Sequence, residues 1–179
     1  MVQHNKQGLI HLYTGDGKGK TTAALGLMLR ACGHGLRVVL VQFLKGSDTG
    51  ELHALAKLPG IIVMRHTRDF GFYKFASDSD KTEIRRQNDA NLSEAARLAA
   101  KGDCDLLVLD EICAAYNNGA FDRALADRLV MNKPPGLELV LTGRGAPPHY
   151  YIAADYVTEF VSRKHPYERG VDAREGIEY

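Results

Sequence analysis

The sequence predicts an α/β fold, a mostly parallel β-sheet flanked by helices on both faces. Short apolar, β-branched runs alternate along the chain with stretches of helical spacing. One run, VVLVQF at 38–43, does not alternate, as expected of a strand buried on both faces of a parallel sheet. A loop rich in glycine and lysine, GDGKGKTT at 15–22, lies between a run of strand type and one of helix type.

In chain order, residues 9–13 (LIHLY) read as the first strand. Residues 21–32 (TTAALGLMLRAC) follow as a helix, with Ala and Leu at helical spacing and Gly33 and Gly35 as stop signals. Residues 38–43 and 61–64 are the next two strands, and 78–100 predict one long helix that is first polar, then amphipathic. Residues 106–109 form a strand ending in Asp110-Glu111, residues 138–142 (ELVLT) one ending in Gly143, and 156–160 close the series. Right-handed crossovers between such strands place ligands at their carboxyl ends. Two stretches predict no regular element: 65–77, which is unusually aromatic, and the polar, glycine-containing tail from Ser162.

A chain of 179 residues suits one domain, 1–179, and buries about two thirds of its unfolded surface. With 45% apolar and 25% charged residues it has neither the composition of a disordered chain nor that of a coiled coil. Lys+Arg 23 against Asp+Glu 22 leaves a net charge of +1, which argues against nucleic acid as a partner. Cys32, Cys104 and Cys113 are far apart and form no C-x-x-C pair, so neither a disulfide framework nor a zinc site is expected. The opening MVQHNKQ is no signal peptide, and VVLVQFL at 38–44 is too short to cross a bilayer. A cytoplasmic protein without a membrane partner is expected.

The loop has the chemistry of a phosphate cradle (P-loop). Glycines let backbone N–H groups converge on an anion at the positive end of the following helix. Gly15, Asp16, Gly17, Lys18, Gly19, Lys20, Thr21 and Thr22 are the candidate ATP contacts, with Lys20 on the phosphates and the Thr21 hydroxyl on Mg²⁺ (or Mn²⁺). The spacing departs from G-x-x-x-x-G-K-[ST]: the first glycine should stand at Thr14, and Gly15 comes one residue late. Asp110 and Glu111, at the end of an apolar strand, are the candidate metal carboxylates. Two chemistries stay open on these residues. Glu111 could orient a hydroxyl or water, as in a P-loop ATPase or small-molecule kinase, or both acids could serve only the metal.

Four ordered segments resemble the ATP:corrinoid adenosyltransferases, which are P-loop proteins of RecA type. They are residues 13–46 (YTGDGKGKTTAALGLMLRACGHGLRVVLVQFLKG), 108–112 (VLDEI), 141–147 (LTGRGAP) and 154–179, ending in GVDAREGIEY. The resemblance implies transfer of the 5′-deoxyadenosyl group of ATP to the Co(I) of a reduced corrinoid, with triphosphate released. In that family ATP lies in the reverse sense across the loop, which gives the late glycine a possible purpose. By position, Lys20, Thr21 and Glu111 carry the reaction, assisted by Asp110, with Arg30 and Arg144 as further nucleotide contacts. The family also implies a homodimer and an electron-donating reductase, flavodoxin-like or flavin-dependent.

The aromatic stretch then reads as the corrinoid contact. Phe70, Phe72, Tyr73 and Phe75 fall within six positions, and Gly71-Phe72 matches a glycine-phenylalanine of the family's cobalt-side loop. There is no tryptophan, so Tyr73 or Phe75 stands in for the one that family carries. Eight residues precede Leu9, too few for the polar helix that family members can place before the first strand.

Overall fold

Among the described residues, 7–179 of a computed structural model, six strands form: β1 (Ile10–Thr14), β2 (Val38–Gln42), β3 (Ile61–Met64), β4 (Leu106–Asp110), β5 (Glu138–Thr142) and β6 (Tyr156–Glu159). They make one sheet in the order β3-β2-β4-β5-β1-β6, and every neighbouring pair is parallel. The expectation that no helix precedes β1 concerns 1–6, outside the described residues.

Parallel neighbours need crossovers, and helices supply them: α1 (Lys20–Gly33), α2 (Gly50–Leu55), α3 (Asp78–Ala100), α4 (Ile112–Asn117), α5 (Arg123–Met131) and α6 (Pro148–Ala153). Alternation along each strand divides the core between two faces. Val38, Leu40, Leu106, Val108 and Val140 meet Ala24, Met28 and Ala31 of α1. Val39, Val41, Leu107, Leu109, Leu139 and Leu141 face the other way, onto Ile84, Leu92 and Ala95 of α3 and onto α4 to α6. Every residue of β2 and β4 is buried, whereas β6, the edge, is exposed throughout.

The long helix forms over the residues its pattern predicts. Ser77 caps it, accepting the Asp80 N–H, and Asp78 and Asp80 complement the helix dipole in its first turn. The first strand differs from expectation by one residue, and the reason bears on the site. Thr14 is 3% exposed, pairs with Glu159 of β6 and accepts the Phe160 N–H through its carbonyl. The strand thus runs one position further than the glycine spacing suggests. In the tail, expected to be irregular, Pro166–Arg169 forms a short 3-10 turn, and the aromatic stretch holds another at Tyr73–Phe75.

Because all strands run one way, five connections gather at one edge of the sheet. They leave β1, β2, β3, β4 and β5, and β5 lies between the strand of the phosphate loop and the strand of the two acids.

Candidate active site

The phosphate loop turns twice through conformations that favour glycine, at Gly15 (φ 94) and Gly19 (φ 116), before α1 starts at Lys20. The residue after β6 anchors it: the Gly17 N–H donates to Phe160 O at 2.6 Å. Lys20 begins the buried stripe of α1 and is 7% exposed. Its Nζ donates to Gly15 O and Gly17 O, both at 2.7 Å. Burial, helped by the nearby Arg144, pushes its pKa down. An anion entering the loop relieves that penalty.

Asp110 ends β4 with no exposed surface. Its Oδ1 accepts from the hydroxyls of Thr21 (2.9 Å) and Thr142 (2.8 Å), and its Oδ2 holds Lys45 Nζ at 2.7 Å. Glu111 follows in a left-handed conformation (φ 61), with its N–H donated to Thr142 Oγ1 at 2.8 Å. The two acids therefore differ in setting. Asp110 is locked into a hydroxyl and ammonium network, whereas Glu111 lines the cavity above the loop. Burial, with the Asp110 charge behind it, raises the Glu111 pKa, opposed by Lys45, Lys20 and Arg144.

That cavity measures about 780 Å³ and is lined by Asp16 to Thr22, Lys45, Glu111 and Arg144, together with residues of the tail. Its volume falls in the range of small-molecule sites. Lys18 Nζ lies 3.8 Å from Glu178 Oε1, and Arg144 reaches the loop through Asp16, Nε to Oδ1 3.8 Å. The structure thus brings the loop residues, Asp110, Glu111 and Arg144 together. It takes Arg30 away. Ten positions along α1, roughly 15 Å of helix rise, it lines a separate cavity at the amino ends of the strands with His34 and Arg37. Arg30 does not line the cavity over the phosphate loop.

Thr142 and Lys45 were not among the expected site residues. Both stand in the segments that carry the resemblance, LTGRG and QFLKG, but only the β5 insertion and the turn after β2 show what they touch.

The donors present fit a magnesium or manganese ion. Among the described residues no cluster of three or more His, Cys, Asp or Glu forms a closed cage. A threonine hydroxyl and two carboxylates suit an ion that keeps waters and takes phosphate oxygens.

The four aromatics divide. Phe70 and Tyr73 pack against the main core, and Phe70 lies edge-on to His66 with centroids 5.4 Å apart. His66 is itself held by Asn88 Oδ1 at 2.9 Å. Phe72 and Phe75 are 82% and 79% exposed. None of the four lines the cavity over the phosphate loop. Two therefore serve as anchors of the segment, and two face outward.

A family model described as ATP:corrinoid adenosyltransferase BtuR/CobO/CobP matches residues 6–179. The corrinoid adenosyltransferase of Pseudomonas aeruginosa is 37% identical over 178 residues, 98% of this chain and 85% of that protein. That of Escherichia coli K12 is 32% identical over 178 residues, 98% and 87% of the two chains. Among solved structures, the genome packaging NTPase B204 of Sulfolobus turreted icosahedral virus 2 gives a TM-score of 0.48 at 18% identity, over 89% of this chain and 77% of that one. So slight a structural likeness carries no argument.

Proposed function

The chain belongs to the ATP:corrinoid adenosyltransferases, enzymes that transfer the adenosyl group of ATP to a corrinoid, and from that premise we propose how its residues divide the work. The observation that carries the reading is the convergence of the Lys20 loop, Glu111 and Arg144 on one cavity, with Asp110 behind it bonded to the Thr21 hydroxyl.

The reduced corrinoid supplies the nucleophile, its Co(I), so no side chain has to attack and none has to take a proton. The Co–C bond forms at the ribose 5′ carbon, the C5′–O bond breaks, and its electron pair leaves with the triphosphate. The chain's task is to position ATP and stabilise charge that grows on the departing phosphates. Lys20 and the loop N–H groups meet those phosphates, and Arg144, beside Asp16 of the loop, adds a second cation. Thr21, Asp110 and Glu111 would hold the divalent ion, which supplies further neutralisation of the leaving chain.

Product analysis tests the reading. Triphosphate together with a new Co–C bond is expected when ATP, Mg²⁺ and chemically reduced corrinoid are supplied. ADP and phosphate formed at a comparable rate without corrinoid would instead make Glu111 a base of phosphoryl transfer.

Phe72 and Phe75 carry the corrinoid part of the proposal, since large apolar rings left in water on an otherwise anchored segment invite a broad apolar partner. Phe72→Ala is expected to slow turnover about tenfold or more on base-on Co(II) corrinoid, while sparing corrinoid presented as Co(I). Because the ring is exposed, stability should change by less than about 0.5 kcal/mol. Equal losses on both substrates would show that the ring does not act on the cobalt's lower face.

A second copy of the chain and a flavodoxin-like or flavin-dependent reductase complete the proposed setting, in the cytoplasm. Among the described residues no helix is long and apolar enough to cross a membrane.

A further inference from the structure

Lys45 has no role in the reaction as set out above, yet its ammonium group sits inside the site. After β2, Leu44 takes a left-handed conformation (φ 57) that few branched residues adopt. The next side chain reaches across the carboxyl edge of the sheet, with Nζ 2.7 Å from Asp110 Oδ2 and 3.5 Å from Thr21 Oγ1. A hydroxyl and a carboxylate in this position are the groups a divalent ion takes from such a loop, and here a cation of the chain itself engages them. Asp110 is wholly buried, and its other oxygen already has two hydroxyl donors, so Lys45 supplies its neutralising charge. The lysine side chain, 27% exposed, also lines the cavity beside Lys20.

We propose that Lys45 is a further phosphate-binding residue of this reaction, held on Asp110 until a divalent ion arriving with the triphosphate takes its place. An ion on Thr21 and Asp110 and an ammonium at these distances would stand within about 4 Å of each other and repel. The displaced ammonium, on its flexible four-carbon stem, stays within the cavity, where the polyphosphate is the strongest acceptor. Lys20 behaves in parallel, its ammonium resting on Gly15 O and Gly17 O. Both lysines are thus stored on acceptors of the chain and released to the substrate.

The identity of the anion rests on the adenosyl-transfer reading, whereas the test needs no corrinoid. Mn²⁺ binding is followed by electron paramagnetic resonance, and inorganic triphosphate binding by calorimetry at saturating Mn²⁺. Lys45→Met is expected to bind Mn²⁺ alone about tenfold more tightly, because Asp110 has lost its resident cation, and triphosphate about tenfold more weakly. A lysine with a structural role only would weaken both. Unchanged triphosphate affinity, or Mn²⁺ affinity that does not rise, overturns the proposal. Should Lys45→Met fail to fold with its buried acid unpaired, the double variant Lys45→Met/Asp110→Asn is compared with Asp110→Asn alone. The tenfold triphosphate deficit should persist, and equal affinities would overturn the proposal as well. Failure of the adenosyl-transfer reading shows separately, as ADP rather than triphosphate formed by the unaltered enzyme.

Discussion

Lys20→Ala is expected to lower kcat/KM for ATP about 10²–10³-fold, with corrinoid supplied as Co(I) and triphosphate measured as product. The loss arises at the transition state, where the breaking C5′–O bond sends negative charge into the phosphates and a buried ammonium is worth more than one in water. Lys20 is placed for this by α1, whose buried stripe it begins, and its ammonium rests on two carbonyls of the loop. Stability should suffer far less. Alanine removes two hydrogen bonds but also a buried cation that burial disfavours, so the net cost is about 1 kcal/mol, or roughly 2–4 °C in Tm. A fall in kcat/KM of less than tenfold would remove Lys20 from the reaction. A large fall in Tm would trace the loss to folding.

Gly15→Ala should be among the most damaging single-carbon changes near the site. The backbone there is left-handed, and an added Cβ would lie 2.5 Å from Phe160 O, a backbone atom unable to move without parting β6 from β1. Conformational strain and the clash together predict a loss of about 2–4 kcal/mol, roughly 5–15 °C in Tm, along with weakened ATP binding. Gly26→Ala in α1 is the control: its Cβ would meet nothing within 4 Å, and helix propensity favours alanine by up to ~1 kcal/mol. Thermal unfolding of the pair distinguishes a loop that demands glycine from a helix that tolerates it. Equal melting temperatures would mean that Phe160 does not press on the loop.

The same contact accounts for the late glycine. A cradle of usual spacing would have glycine at position 14, but Thr14 is still in β1 and its pairing with β6 needs no special conformation. The first left-handed residue is therefore Gly15. A sequence read from left to right cannot show this, since the partner strand begins at Tyr156.

Much of the fold was legible because its signals are local. The unbroken apolar runs of β2 and β4 announce burial on both faces, and a serine followed by two aspartates marks where α3 begins. Helices of six residues such as α2, α4 and α6 span fewer than two turns, too few for a period to show. In the site, Lys20, Thr21, Asp110 and Glu111 sit in compact motifs, whereas Thr142 and Lys45 acquire meaning only through strand order and one turn. Arg30 shows the converse: it is close in sequence to the loop, and α1 carries it to the other end of the sheet. The aromatic stretch shows its composition but not its sides, because an irregular backbone has no period to assign Phe70 inward and Phe72 outward.

The strand order also sets a timetable for synthesis. β1 emerges early, yet both of its neighbours, β5 and β6, come late: Ile10 and Leu139, which the finished sheet pairs, are 129 positions apart. At about 5–20 residues per second, the strand that carries the phosphate loop waits on the order of ten seconds for a partner. β2, β3 and β4 can pair with one another in the meantime. A half-made chain therefore has a sheet but no nucleotide cradle, and it offers an apolar strand to any chaperone that takes unpaired edges.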